Sequence, residues 1–170
     1  ITRLGMSIIA NIALAASINS KMFNAPGFRD HIQSELEYSL MSALWAKEVA
    51  RSCRKNVETA FLAGLLHDIG KPVCIQTVLE VTKTSGINVT PEMVFMLEQK
   101  FHRALSITVV HQWELPSSVS DVVTWFDDYT NAGKALEPTM IVIAGTRFAS
   151  VSYTHLTLRA THSVEVSWAA

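Results

Sequence analysis

The strongest constraint in this sequence is a run of apolar residues that ends abruptly in a histidine and an aspartate. The run covers residues 60–66 and reads AFLAGLL, so it is apolar on nearly every side of the helix that we predict over residues 57–69. A helix without a polar face is packed on all sides and lies at the centre of a domain. Gly70 is suited to ending this helix, so we expect His67 and Asp68 in its last turn.

Helical periodicity extends over most of the remaining chain. In each stretch, apolar residues recur every three or four positions, which is the spacing of one helix face. Pro26 and Pro116 interrupt the pattern, and Thr90 followed by Pro91 marks a helix start. Ser118 and Asp121 have the spacing of a capping box at the start of another helix. We therefore predict an all-α fold, a compact bundle of about six to seven helices, with further helices at 1–23, 36–50, 91–113, 118–126 and 140–149.

The length of the chain fits one domain. The 170 residues are within the size of a single core, and no interior linker interrupts residues 1–150. Residues 151–170 differ in character, because 152–158 are rich in threonine and β-branched residues with no partner strand, and we expect a disordered or artefactual tail there. The chain begins with Ile1 rather than methionine, so we expect its true start upstream.

Composition excludes several classes of protein. Apolar residues make up 49% and charged residues 17% of the chain, which is typical of a packed globular protein. The net charge is −1 and no basic stripe is present, so we expect no nucleic-acid partner.

The apolar segment at residues 1–23 raises the question of a membrane span or a signal peptide. Arg3, Asn11 and Lys21 interrupt it, so we expect a buried helix and no membrane partner, with a secretion signal as the alternative. We read Cys53 and Cys74 as reduced thiols in a cytoplasmic protein.

The His67-Asp68 pair is the main candidate for chemistry. Adjacent helical residues point about 100° apart, so such a pair can converge on one metal only at a helix end, or can serve two neighbouring metals. Imidazole and carboxylate ligands suit iron, manganese, zinc or magnesium, which could activate water for attack on a phosphate. The alternative is a hydrogen-bonded pair that rigidifies the end of the helix.

The string AFLAGLLHDIGK at residues 60–71 resembles the signature of the HD superfamily of metal-dependent phosphohydrolases. Within that superfamily the chain is most similar to HDOD domains, and the similar segments occur in the family's order across residues 1–150. The resemblance implies an HD-type helical domain that lacks the family's N-terminal helical section. The other segments that carry it are RLG at 3–5, FH at 101–102, WELP at 113–116 and IVIAGTRFA at 141–149.

The resemblance also implies a depleted metal site. Active HD phosphohydrolases carry an upstream histidine, the His-Asp pair and an aspartate in the closing helix. In this chain the pair is retained as His67 and Asp68, whereas Tyr38 stands at the upstream histidine and Gly145 at the closing aspartate. Two of the four principal ligands are therefore replaced.

Three further residues bear on this site. His102 matches a histidine that related proteins with more metals carry, while Asp127 or Asp128 is the available substitute where such proteins have a His-His pair. The residual site would thus consist of His67, Asp68 and His102. We expect no cofactor, with weak binding of iron, manganese, zinc or magnesium as the open alternative.

The implied function is that of a non-catalytic bacterial signal-transduction domain. HDOD domains accompany signalling domains in bacteria, so we expect other signalling proteins or domains, or a small ligand, as partners, with a homodimer as a further possibility. The first alternative is a metal-dependent phosphohydrolase acting on a nucleotide or cyclic nucleotide, and the second is a binder of nucleic acid or phosphate esters without hydrolysis. We read His31 as a loop residue and His111 as a surface or partly packed residue.

Overall fold

The computed structural model describes the backbone of residues 25–167 and the side chains of residues 25–152. This part of the chain is helical and contains no strand, which confirms the predicted all-α class. The helix predicted at 1–23 lies outside the described residues. Six α-helices follow one another as α1 (Arg29–Ser52), α2 (Val57–Leu66), α3 (Gly70–Ser85), α4 (Pro91–Gln112), α5 (Ser117–Thr124) and α6 (Leu136–Ser167), with short 3₁₀ turns at Tyr129–Asn131 and Gly133–Ala135.

Helix α2 is the central helix that its sequence predicts. Asn56 caps its start, because its side-chain oxygen accepts hydrogen bonds from the backbone N–H groups of Glu58 and Thr59. Gly64 lets α2 approach α1 closely, since a Cβ atom at Gly64 would lie 2.9 Å from the Cα atom of Ala43. The helix therefore packs backbone to backbone against α1, and Ala63, Leu65 and Leu66 are buried in the core.

Helix α6 approaches α1 in the same way from another side. A Cβ atom at Gly145 would lie 2.5 Å from the backbone nitrogen of Ala46 and 2.8 Å from its side chain. The fully buried Ala43 and Ala46 thus contact a glycine of α2 and a glycine of α6, respectively. Helix α1 is held between the two helices at distances that only small residues allow.

The junction of α2 and α3 differs from our prediction. Helix α2 ends at Leu66, and Gly70 is the first residue of α3, a helix that we did not predict. Pro72 is compatible with this helix, because it lies in the first turn of α3, where its missing N–H costs no helical hydrogen bond. Gly70 is required for close packing instead of for termination: its N–H donates to the Ser106 hydroxyl at 2.9 Å, and a Cβ atom there would overlap the carbonyl oxygen of His102.

The two other predicted helix starts have different outcomes. Thr90 caps α4 as predicted, because its hydroxyl accepts the N–H of Met93. The capping box predicted at Ser118 and Asp121 was wrong, since α5 begins at Ser117 directly after Pro116 and has no side-chain cap. The hydroxyl of Ser118 lies 3.3 Å from that of Thr59 instead, so it joins α5 to α2.

The last helix is longer than expected. The backbone of residues 151–167 continues α6 as helix, where we expected a disordered tail. The chain has neither glycine nor proline between Gly145 and Ser167, so nothing in the backbone interrupts the helical hydrogen bonds. The domain boundary at residue 150 stays a prediction. Within the described range, no helix is both long and apolar enough to cross a bilayer.

The contact between Gly145 and Ala46 gives a test of the packing. Helix propensity alone would make Gly145→Ala stabilising by about 1 kcal/mol. Because the new methyl group would meet the α1 backbone, we expect the variant to lose roughly 1–3 kcal/mol of unfolding free energy instead. Urea unfolding followed by circular dichroism measures the sign, and a more stable variant would contradict the close approach of α1 and α6.

Candidate functional site

A cleft of ≈ 370 Å³ lies where α1, the α2–α3 junction, the 126–129 segment and α6 meet. Tyr38 of α1 and His67 and Asp68 of the junction form one side of it. The opposite side consists of Phe126, Asp127, Tyr129 and four residues of α6, namely Ile143, Thr146, Arg147 and Ser150. The His-Asp pair predicted from the sequence therefore lines a cleft where all these elements converge.

His67 is buried and fixed in orientation. Its Nδ1 atom lies 2.8 Å from the carbonyl oxygen of Gly64, which can only accept, so Nδ1 carries the proton. The lone pair of Nε2 is left on the other edge of the ring, 3.7 Å from the Asp68 carboxylate. Burial lowers the pKa of His67 below its ordinary value, and the charge of Asp68 only partly offsets this. The imidazole is therefore neutral at pH 7.

Asp68 is ionised although its side chain is only 15% exposed. Its carboxylate lies 3.1 Å from the Lys71 ammonium, 3.5 Å from Nδ1 of His102 and 3.8 Å from the Arg103 guanidinium. Burial by itself would raise the pKa of Asp68, but the contact with His102 and the charge of Lys71 outweigh it and hold that pKa well below the usual range. The carboxylate thus has cationic side-chain partners of its own.

Lys71 connects the cleft to α1. Its ammonium contacts Asp68 and also donates to the Glu35 carboxylate at 2.9 Å. Burial would lower the pKa of Lys71, but the two carboxylates outweigh it and raise that pKa above its ordinary value. Lys71 is therefore a permanent cation between two acidic side chains.

Arg103 joins α4 to three other segments. Its guanidinium donates to the carbonyl oxygens of His67 and Val123, each at 2.6 Å, and its Nε atom lies 2.6 Å from the Asp127 carboxylate. The planar group also lies over the ring of Phe126, 5.3 Å from its centroid. Only arginine has the number and directions of donors that these contacts require.

The three residues of the predicted residual metal site are neighbours but do not converge. His67 and His102 approach different oxygens of Asp68, at 3.7 and 3.5 Å. Among the described residues, the only three metal-ligating side chains whose ligand atoms all lie within 4.8 Å of one another are found elsewhere. Because the ligand atoms of these three side chains do not all lie within 4.8 Å of one another, this arrangement does not fit a metal ion, although Nδ1 of His102 is buried without a well-formed hydrogen bond.

The predicted substitutes for the missing ligands are engaged elsewhere. Asp127 lines the cleft, but its carboxylate is bonded to Arg103. Asp128 accepts hydrogen bonds from the side chains of Asn131 and Thr130, which makes it part of the following 3₁₀ turn. Neither carboxylate is oriented toward His67 by these contacts.

The two positions at which the resemblance implies a replaced ligand, Tyr38 and Gly145, have different environments. The Tyr38 hydroxyl donates to the carbonyl oxygen of Thr146 at 3.1 Å, so Tyr38 bridges α1 and α6 across the cleft. Gly145 faces α1 and does not line the cleft, which α6 lines through Thr146 and Arg147 instead. Sequence reasoning missed Thr146 and Arg147 as cleft residues. The available signal was the helical spacing of Ile143, Thr146, Arg147 and Ser150, which places all four on one face of α6.

His111 and His31 lie outside the cleft. His111 is exposed near the end of α4, as predicted. The reading of His31 as a loop residue was wrong, because it lies in the first turn of α1 and its Nε2 atom is 3.1 Å from the Glu98 carboxylate. The apolar pattern of α1 becomes clear only from Leu36 onward, so the sequence did not reveal the earlier turn.

These features define an all-α domain built around a largely buried His-Asp pair. The model of the HDOD domain family matches residues 1–129, so the chain belongs to the HDOD domain family. No curated protein and no solved structure gives a significant match. The matched region ends before α6, so the correspondence of residues 141–149 to the family's closing helix stays a prediction.

The contacts of Arg103 predict that lysine cannot replace it. An ammonium group keeps the charge but cannot reach the two carbonyl oxygens and the carboxylate together, so Arg103→Lys should lose roughly 2–4 kcal/mol of unfolding free energy. Arg51→Lys is the matched control, because Arg51 is exposed and pairs with the exposed Glu48 of its own helix, so its replacement should cost less than about 0.5 kcal/mol. Equal losses in urea unfolding would contradict the role of Arg103 as a junction.

The buried neutral imidazole of His67 predicts a pH-dependent stability. Below about pH 6.5 the unfolded chain takes up a proton at His67 and the folded chain does not, so falling pH favours unfolding. We expect this group to contribute a slope of up to about 1.4 kcal/mol per pH unit. Urea unfolding between about pH 7 and pH 5 should show a shallower slope for His67→Gln. An unchanged slope would contradict the neutral state.

Proposed function

We propose that this chain is a non-catalytic bacterial signal-transduction domain that acts in the cytoplasm by binding a signalling protein or a small ligand at the cleft. One observation carries the proposal: the Asp68 carboxylate is neutralised by Lys71 and Arg103 of this chain. A catalytic metal would have to replace these cations. Membership of the HDOD family supports the proposal, since the resemblance implies a regulatory role.

The state of the other ligand positions supports a binding role further. Tyr38 joins two walls of the cleft through its bond to Thr146, and Asp127 is bonded to Arg103. These contacts join the walls of the cleft through side chains of the chain itself. A cleft whose described side chains include no converged ligand set suits recognition better than metal-dependent hydrolysis.

The lining of the cleft suits a ligand with both apolar and polar groups. Phe126 and Ile143 offer apolar surface, and Arg147 offers a guanidinium that makes no ion pair with any described side chain. Clefts of this kind orient ligands through a few polar groups on an apolar background. A small ligand with an acidic group, or an acidic side chain of a partner protein, is therefore the expected occupant.

The alternative is a metal-dependent phosphohydrolase, and one observation favours it. The Nε2 lone pair of His67 and the poorly bonded Nδ1 atom of His102 are both donors that a metal ion could use. Hydrolysis by this route requires Lys71 and Arg103 to leave Asp68.

A hydrolysis assay tests the proposal against this alternative. We expect protein purified without chelator or affinity metal to hydrolyse no phosphomonoester, phosphodiester or cyclic nucleotide in the presence of Mn²⁺, Fe²⁺, Zn²⁺ or Mg²⁺ above the rate of the double variant His67→Gln, Asp68→Asn. Because both proteins retain the same surface, the comparison removes contaminating activity. Turnover that only the unsubstituted protein shows would overturn the proposal.

The binding role has its own test. Ile143→Trp would fill the cleft, whereas Val81→Trp places the same side chain on the exposed face of α3. We expect co-purified ligands or partners, identified by native mass spectrometry, to be lost from the Ile143 variant and kept by the Val81 variant. Binders that persist equally in both variants would place recognition outside the cleft.

A further inference from the structure

A second cluster of polar side chains lies outside the cleft, between α1 and α4. His31 and Glu35 are one helical turn apart on α1, and Glu98 is on α4. One ligand atom from each of the three lies within 4.8 Å of the other two. Residues four apart on a helix share a face, so α1 presents an imidazole and a carboxylate together to the carboxylate of α4.

Glu98 is an unusual feature of this cluster because its side chain is only 1% exposed. Both of its carboxylate oxygens lie 3.1 Å from Nε2 of His31. The ring nitrogen is thus shared between the two oxygens, as in a bifurcated hydrogen bond, and is directed at neither oxygen alone. A cation between the imidazole and the carboxylate would use both oxygens and the nitrogen.

The charges around the cluster are unbalanced. Asp68 has both Lys71 and Arg103 near its carboxylate, whereas Glu35 shares Lys71 with Asp68. Glu98 contacts the imidazole of His31. A divalent cation on Glu35 and Glu98 would supply the missing positive charge, with His31 as a neutral ligand.

The site also has an entrance and room to complete its coordination. The side chain of His31 is 32% exposed and that of Glu35 is 21% exposed, so solvent reaches the cluster from the α1 side. Water can therefore occupy the remaining positions around an ion, as in sites with three protein ligands. One turn before Glu98 on α4, the apolar Val94 is 1% exposed, so this face of α4 is buried.

We propose that His31, Glu35 and Glu98 form a binding site for a divalent transition-metal ion, a site separate from the His67-Asp68 pair. One nitrogen and two carboxylate groups suit Zn²⁺, Mn²⁺ or Fe²⁺ and suit Mg²⁺ less well, because Mg²⁺ prefers oxygen ligands alone. The ion would join the first turns of α1 to the middle of α4. This inference does not depend on the function of the cleft.

The ion would also influence the cleft through one shared residue. Lys71 is held by Glu35 on one side and Asp68 on the other. A metal that engages Glu35 competes with Lys71 for that carboxylate and shifts the ammonium toward Asp68. Occupancy of the metal site is thereby coupled to the electrostatics of the His67-Asp68 pair.

Equilibrium dialysis of the 170-residue chain against Zn²⁺ and against Mn²⁺, with metal measured by plasma mass spectrometry, tests the proposal. We expect about one ion per chain, and affinity at least about tenfold lower in His31→Ala and in Glu98→Gln. Glu37→Gln is the matched control, because Glu37 is an exposed carboxylate on the same helix and should leave the affinity unchanged. Circular dichroism establishes that each variant is folded.

Two outcomes would overturn the proposal. One is binding that the single variants His31→Ala and Glu98→Gln leave unchanged, and the other is binding by the unsubstituted chain no stronger than that of a double variant that combines His31→Ala with Glu98→Gln. If Glu98→Gln fails to fold, His31→Ala and Glu35→Gln decide the question, because both side chains are partly exposed. The double variant His67→Gln, Asp68→Asn distinguishes the two sites. If metal binding is lost in this variant and kept in the His31 and Glu98 variants, the metal belongs to the cleft. That result would contradict the proposed site and favour the phosphohydrolase alternative.

Discussion

The rest of the structure depends on the need to neutralise a carboxylate that the fold removes from water. Asp68 lies at the turn between α2 and α3, and an unpaired charge there would cost several kcal/mol (about 3–5). Lys71 meets it from the next turn of the same chain segment, while His102 and Arg103 meet it from α4. The need to pair Asp68 with these cations therefore sets the distance between α2 and α4. It also sets the position of the cleft wall that Asp68 lines.

Much of the fold could be predicted, because apolar residues that recur every three or four positions indicate a helix directly. The central helix and the cap at Thr90 follow from local sequence, whereas the His67-Asp68 pair lies just after the end of the central helix and not in its last turn. The start of α3 could not be predicted, because Gly70 and Pro72 are compatible with both the end of one helix and the first turn of the next. Only packing against α4, where the N–H of Gly70 meets Ser106, distinguishes the two.

For the candidate site, the sequence predicted residues such as Asp68 but not the side-chain contacts that join them. The sequence identifies Asp68, but its partner Arg103 and the link from Lys71 to Glu35 join positions more than thirty residues apart. No local pattern encodes such pairs. The burial of Glu98 could not be predicted locally either. Its position in the sequence of α4 is typical of an exposed residue, and its side chain is buried because α1 covers it.

Gly145 has a consequence for how this protein can change over time. The backbone of Ala46 occupies the space that any side chain at this position would need. If an ancestor of this chain held an acidic ligand there, a single codon change could not restore it, because α1 and α6 would first have to separate. The helix contact would make such a loss hard to reverse. Once two backbones occupy the space of a lost ligand, substitutions that improve the new role are easier to accept than those that would restore the old chemistry.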